Sequence, residues 1–238
     1  MARQREFDET IIIEKATNLF WKKGYNAVST QDLIDAFGIS RSSMYGAYKD
    51  KRNLFIITLQ HYRKTASQGM IDVLNSNNPF KETITQLLNQ LIKDTISDND
   101  NKGCFIVNTA IELAPHDTEI LEIIVENRKN IISALATSIE KGIKNGEIET
   151  TQKPESLANY FYNLINGLRV DSKVHKDQNN YKEIVEIAIS VLDNRKGQQV
   201  TMYIKNRRIS NKFKASGSYQ TLCITESSVI RNRLLFIY

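Results

Sequence analysis

Few side chains in this 238-residue chain stand where they could do chemistry unaided. The three histidines show no metal-ligand spacing, and none has a serine or cysteine partner in a recognisable catalytic motif. Cys104 and Cys223 lie too far apart for a local metal knuckle and are too few for a disulfide framework. A glycine-rich phosphate loop is missing. No catalytic residue, metal or cofactor is therefore expected. What remains is the run Ser40-Arg41-Ser42-Ser43-Met44-Tyr45-Gly46-Ala47-Tyr48. Its small polar residues let a backbone approach base edges closely, and Arg41 can reach a guanine or a phosphate. Gly46 in mid-helix costs about 1 kcal/mol against alanine, which close packing on DNA would justify. This is the chemistry of hydrogen bonding to a nucleic acid.

Such a run needs rigid elements around it, and the flanking sequence supplies them. Ile12, Ala16, Leu19 and Phe20 form one apolar helical stripe, stopped by Lys22, Lys23 and Gly24. Ser29 with Asp32 three residues on reads as a capping-box start for a short second helix carrying Leu33, Ile34, Ala36 and Phe37 inward to Gly38. Ser40 caps a third helix of about two turns. Two short helices joined at a glycine are the helix-turn-helix arrangement, whose second helix enters the major groove. Asp50-Lys51-Arg52 opens a fourth helix through Leu54, Ile57, Leu59 and Tyr62.

Charge agrees with that placement. Residues 1–65 carry 11 Lys and Arg against 7 Asp and Glu, residues 66–194 carry 12 against 19, and residues 195–238 carry 9 against 1. A basic front on an acidic middle suggests that one end meets a polyanion. At 41% hydrophobic and 25% charged the composition is that of an ordinary globular protein. No apolar run approaches a membrane span and the start lacks signal-peptide character, so a soluble cytoplasmic protein is expected.

The stretch Gly24-Tyr25, Ser29 through Tyr45 and Tyr48 through Phe55, with Leu19-Phe20 ahead of it, closely resembles the DNA-binding domain of TetR-family transcriptional regulators. The likeness spans about residues 7–62. It departs at Phe37, where a small residue is usual, and at Ala47, where a larger one often sits. The resemblance implies a phosphate site at Ser29 and Thr30, where a helix N-terminus already favours an anion. It implies phosphate contacts from Tyr45 and Lys51 and a base-reading turn at Ser40, Arg41, Ser42 and Ser43, with Gly46 and Tyr48 completing the DNA-facing set. Arg3 and Arg5 form a candidate arm.

Helical stripes continue beyond residue 80. Ile84, Leu87, Leu88, Leu91 and Ile92 make the cleanest set, and Asp98–Gly103 is a polar loop. Residues 104–113 are apolar almost all round, which predicts a buried helix. A long helix follows from Asp117 to Gly146, then one from Pro154, and a last one carrying Tyr181 to Leu192. The expected fold is all-α: an N-terminal three-helix helix-turn-helix domain (1–50, arm 1–6), then a helical ligand-binding and dimerisation bundle (51–194). By the resemblance, residues 153–172 and 179–193 form a homodimer interface and an inducer binds between helices. Pocket candidates are His61, Tyr62, Cys104, Asn108, His116, Tyr160, Phe161 and Asn166. Residues 195–238 read as a poorly ordered basic tail with short β-like pieces, or as an extra nucleic-acid contact. The leading reading is a one-component repressor that binds a palindromic operator as a dimer and is released by a small molecule. A ligand-independent architectural DNA binder, and a carrier or enzyme, stay open as alternatives.

Overall fold

Short polar residues start the helices and glycines stop them. Asp8 caps α1 (Glu9–Lys23) by accepting from the Thr10 amide, and Gly24 ends it at φ 84°. Ser29 and Asp32 form the expected capping box at the head of α2 (Thr30–Phe37), which Gly38 closes in the left-handed region at φ 69°. Ser40 caps α3 (Arg41–Tyr48), and Asp50 caps α4 (Lys51–Tyr62). The computed structural model describes residues 8–193. The arm at Arg3 and Arg5 and the basic tail from 195 onward lie outside the described residues.

The fourth helix does not stop at Tyr62. It passes through a π-helical turn, Arg63–Ser67, into α5 (Gln68–Leu74). Thr65 Oγ1 donates to the His61 carbonyl at 3.0 Å within that turn, the kind of hydroxyl back-bonding that bends a helix. After it come α6 (Phe80–Ser97), α7 (Phe105–Glu112), α8 (Thr118–Lys144), α9 (Pro154–Asp171) and α10 (Gln178–Ser190). Among the described residues there is no strand, and no helix is long and apolar enough to cross a membrane.

Two buried clusters result. The front one joins Ile12, Ala16 and Phe20 of α1 with Leu33, Met44, Leu54, Phe55 and Leu59, and it also takes in Phe105, Ile106, Ile120 and Ile123. Aromatic edges tighten it: Phe20 meets Phe55 at 5.1 Å between centroids, and Phe55 meets Phe105 at 5.5 Å. The rear one gathers Ile84, Leu88, Ile131, Leu135, Ile139, Phe161, Ile165 and Tyr181. The front core thus reaches past residue 50 to include α4, α7 and the head of α8. α8, 27 residues long and so about 40 Å, contributes to both cores, packing along α9 in the rear. α7 is not buried all round as its composition suggested, because Ile111 is 70% exposed.

Candidate nucleic-acid interface

The α2–α3 pair displays its polar side by burying the other. Met44 and Tyr48, one turn apart on α3, are 0% and 4% exposed and hold the helix to the front core. Arg41, Ser42, Tyr45 and Gly46 consequently face outward. Tyr48 is therefore corrected from a DNA contact to a core residue. Thr30 is half-buried and Ser43 partly so, while Ser29 and Ser40 are exposed.

Hydrogen bonds fix the two helix heads. Ser29 Oγ accepts from the Asp32 amide at 3.1 Å and donates to its carboxylate, which also takes the Ser29 N–H at 2.8 Å. Lys23 Nζ donates to the same carboxylate at 2.8 Å. Lys23, and Ser29 after it, hold the Asp32 carboxyl well below the usual carboxylate range. Ser40 Oγ accepts from the Ser43 amide at 3.1 Å and lies 2.9 Å from the hydroxyls of Ser42 and Ser43. A Cβ on Gly46 would meet nothing within 4 Å, so packing inside the chain does not require glycine there.

Two residues behave differently from expectation at the end of α3. Lys49, which the sequence left unremarked, is exposed and has φ 63° and ψ −60°. The Asp50 N–H donates to the Tyr48 carbonyl at 2.7 Å around it, a tight γ-turn strained for a residue with a Cβ. Lys51 turns inward: its Nζ donates to the carbonyls of Tyr25 at 2.9 Å and Val28 at 2.7 Å, and lies 4.2 Å from the Tyr25 ring centre. Burial pulls its ammonium down from the ordinary lysine value. It positions the α1–α2 connection, with a single proton left for any outside acceptor.

The same connection is gripped from behind. Glu112, near the end of α7, accepts the Tyr25 amide at 3.0 Å and the Asn26 amide at 2.8 Å. Glycine suits position 24 because its φ of 84° strains any residue with a Cβ, and a Cβ there would stand 2.9 Å from Glu112 Oε2 and push that carboxylate aside. Arg52 of α4 donates to Asp117 at 2.8 and 2.9 Å and to Glu119 at 2.8 Å, at the start of α8. Arg63 reaches Glu126 at 2.9 Å.

Behind these contacts lies a cleft of about 740 Å³, between α4–α5, α6, α9 and the 98–103 loop. That volume is within the usual range for small-molecule sites. Tyr62 lines it, while Cys104 and Asn166 line a recess of about 20 Å³ that shares Tyr62 and Arg169 with it. The other five candidates are corrected. Phe161 is fully buried in the rear core against Phe80. Tyr160 points outward at 37% exposure, and His116 is exposed between α7 and α8. Asn108 is occupied by the Lys102 carbonyl at 2.8 Å and Lys173 Nζ at 3.2 Å, and His61 is part-exposed away from both walls. Trp21, Met70, Leu91, Ile165 and Arg169 also line it, from elements that no local period groups, together with Asp94, Asp98 and Asp100. Among the described residues, no three His, Cys, Asp or Glu side chains form a metal-sized group.

A capped helix pair with an outward polar face, standing on a helical bundle with a cleft, defines a helix-turn-helix regulator. Comparison with known proteins agrees. Residues 12–56 match the family described as "Bacterial regulatory proteins, tetR family", and residues 82–188 match "Tetracyclin repressor-like, C-terminal domain". The HTH-type transcriptional regulator YezE of Bacillus subtilis is 29% identical over 194 residues, 81% of this chain and 100% of that one. The repressor ComR of Escherichia coli is 23% identical over 172 residues, 72% and 82% of the two chains. A cysteine mutant of the TetR-family regulator CifR, solved on a 26-bp double-strand operator, superimposes with a TM-score of 0.70 at 27% identity, covering 79% of this chain and 98% of that one. The chain belongs to the TetR family of transcriptional regulators. It is a DNA-binding regulator and not an enzyme.

Proposed function

We propose that this protein is a one-component repressor that binds a palindromic operator as a homodimer and leaves it when a small molecule enters the cleft. The outward face of α3 carries the reading: Arg41, Ser42, Tyr45 and Gly46 are exposed together while Met44 and Tyr48 anchor the helix. Residues 1–50 meet the DNA, and residues 51–194 hold the ligand and the second copy. Arg41 reads a base edge, flanked by the Ser40, Ser42 and Ser43 hydroxyls, and Tyr45 meets a phosphate. The head of α2, behind the Ser29 cap, meets another phosphate through the Thr30 and Gln31 amides that the capping box does not use. Lys51 acts by holding the 25–28 connection.

The partner copy is placed at residues 153–172 and 179–193. Ile187 is 64% exposed, Val170 45% and Val191 37%, apolar side chains that a second α9–α10 pair would cover. Two copies put their α3 helices about one DNA turn, or a small multiple, apart. That ComR is a repressor and that CifR is seen on operator DNA support the assignment. The test is fluorescence anisotropy with labelled DNA from upstream of the protein's own gene, against a scrambled duplex, across a salt series. Saturable binding well above the scrambled control, with two protomers per duplex, is expected. Equal affinity for both duplexes with a steep salt slope would refute the operator reading.

A further inference from the structure

We infer that the ligand of the cleft is an amphipathic organic anion, with a carboxylate-type head held by Arg169 and an apolar body against Trp21, Tyr62, Met70 and Leu91. This rests on the reading of the cleft as the regulatory site and gives that site a ligand chemistry.

Arg169, in the last turn of α9, projects into the cleft and into the recess beside it. Its guanidinium has five N–H donors. One reaches the Cys104 sulfur at 3.5 Å, a weak acceptor. The groups that feel its charge are Cys104, Tyr62 and Tyr162, none of them a carboxylate. Among the described residues no other hydrogen bond or ion pair to the guanidinium occurs. A half-buried guanidinium on the cleft wall with no anion beside it keeps donors free for one. Burial pushes the Tyr62 phenol well above its ordinary value, so it stays neutral and cannot serve.

The acids of the wall, Asp94, Asp98 and Asp100, do not fill that role either, because each holds other partners. Asp100 pairs with Lys22 at 2.6 Å. The Asp98 carboxylate accepts the amides of Asp100, Lys102 and Gly103. Asp94 accepts from the Gln90 side chain at 2.7 Å. The wall also carries an aromatic pair: Trp21 and Tyr62 meet edge to face at 5.2 Å, and the Trp21 Nε1–H is already used by the Gly103 carbonyl at 3.1 Å. The free donors of Arg169 are a demand that a planar anion answers with two parallel hydrogen bonds.

Trp21 is the only tryptophan in the chain and lines the cleft, so its emission reports occupancy directly. Octanoate, octanamide and octylammonium share a tail and differ in head charge, and each is titrated into the full-length protein. Octanoate is expected to bind at least about tenfold tighter than octanamide, as a charge-assisted pair out of water does. Arg169→Met should bring the two within about twofold, and Arg169→Lys should keep part of the preference. Octanamide binding as tightly as octanoate, octylammonium binding tightest, or no Trp21 response to any of the three would each overturn the inference. So would an Arg169→Met protein of unchanged circular dichroism that keeps the preference. The wild-type series stands by itself if that variant does not fold. Operator anisotropy in the same samples separates the two readings: octanoate binding without releasing DNA refutes the regulatory role and leaves the anion site standing. Release by octanamide as readily as by octanoate refutes the anion site and leaves the regulatory role.

Discussion

Replacing Glu112 tests whether the rear of the molecule controls the front. Its carboxylate accepts two backbone amides, Tyr25 at 3.0 Å and Asn26 at 2.8 Å. A hydrogen bond to a charged group contributes about 1.5–3 kcal/mol, but the Asn26 end is exposed and water replaces part of what is lost, so the pair is worth about 2 kcal/mol. Glu112→Ala should destabilise by that amount, and Glu112→Gln, which keeps one acceptor oxygen, by about 1 kcal/mol. For a chain of this size 2 kcal/mol lowers Tm by about 4–8 °C. Calorimetry at one fixed protein concentration reads it, since a dimer's Tm depends on concentration. Gly24→Ala makes the attribution specific. A Cβ there lands 2.9 Å from Glu112 Oε2, so the alanine should cost less in the Glu112→Ala background than in the parent by about 1 kcal/mol. Operator affinity should fall in parallel, because the head of α2 loses its anchor. A Glu112→Ala protein that melts within 1 °C of the parent, or strictly additive effects of the two changes, would refute the clamp.

The remaining expectations follow from single contacts. Tyr45→Phe should weaken operator and scrambled DNA alike and flatten the salt dependence by about one phosphate, whereas Arg41→Ala should relax preference at one base pair; anisotropy on a set of singly substituted operators distinguishes them. Lys49→Gly relieves the positive φ and should stabilise by about 1 kcal/mol in urea unfolding while weakening DNA binding through the lost charge. Lys51→Met leaves the Tyr25 and Val28 carbonyls without their donor and should cost about 1–2 kcal/mol with the salt slope of DNA binding unchanged. Acid should destabilise the fold. Asp32, Asp100 and Asp117 titrate below their ordinary value in the native chain, so the unfolded chain binds more protons. Their contribution is complete above the unfolded value of about 4 and is lost as pH falls through the native ones. Urea midpoints measured from pH 5 to 3 should drop, and Lys23→Met, removing the first cause at Asp32, should make the drop shallower.

Short-range signals were legible in the sequence because their physics is short-range. The capping box of Ser29 and Asp32, the stop at Gly38 and the cap at Ser40 each involve partners within four residues, and the structure forms all three. The exposed set on α3 was nearly legible as well. Tyr48 was misplaced because a motif match marks a position without saying which way it points, although its four-residue spacing from Met44 put it on the inward stripe. Lys51 looked like one more exposed cation, and only the return of the 25–28 backbone shows where its protons go. Of the cleft only Tyr62, with Cys104 and Asn166 in the recess beside it, was legible. Its wall draws Trp21, Tyr62, Met70, Leu91 and Arg169 from five separate stretches, and no local period links them. Arg169 in particular sits where a cation complements the C-terminal end of a helix, so its position gives no hint of a deeper role. The π-turn at Arg63–Ser67 was hidden for a similar reason, since no proline or glycine marks it.

The proposed control needs a mechanical link between Arg169 and Arg41, and α7 is built to be one. Cys104, at its head, touches both Arg169 and Tyr62, and Glu112, at its other end, holds the amides that lead into α2. An anion that draws Arg169 away from Cys104 removes a contact at the head of α7, and eight residues of helix, about 12 Å, carry any shift of that head to Glu112 as one rigid element. Arg52 on Asp117 and Glu119 meanwhile ties α4 to the head of α8, and Lys51 and Glu112 hold the α1–α2 connection from α4 and α7, so a shift of α7 against α4 is felt there. A ligand moves such an equilibrium only by binding the DNA-incompetent arrangement more tightly, and couplings of this kind run to about 1–3 kcal/mol. The Glu112 clamp is worth about 2 kcal/mol by the estimate above. A much weaker clamp would let α7 move without α2. A much stronger one would demand more differential affinity than a single new ion pair at Arg169 can supply. The clamp at Glu112 therefore falls within the range that such couplings cover.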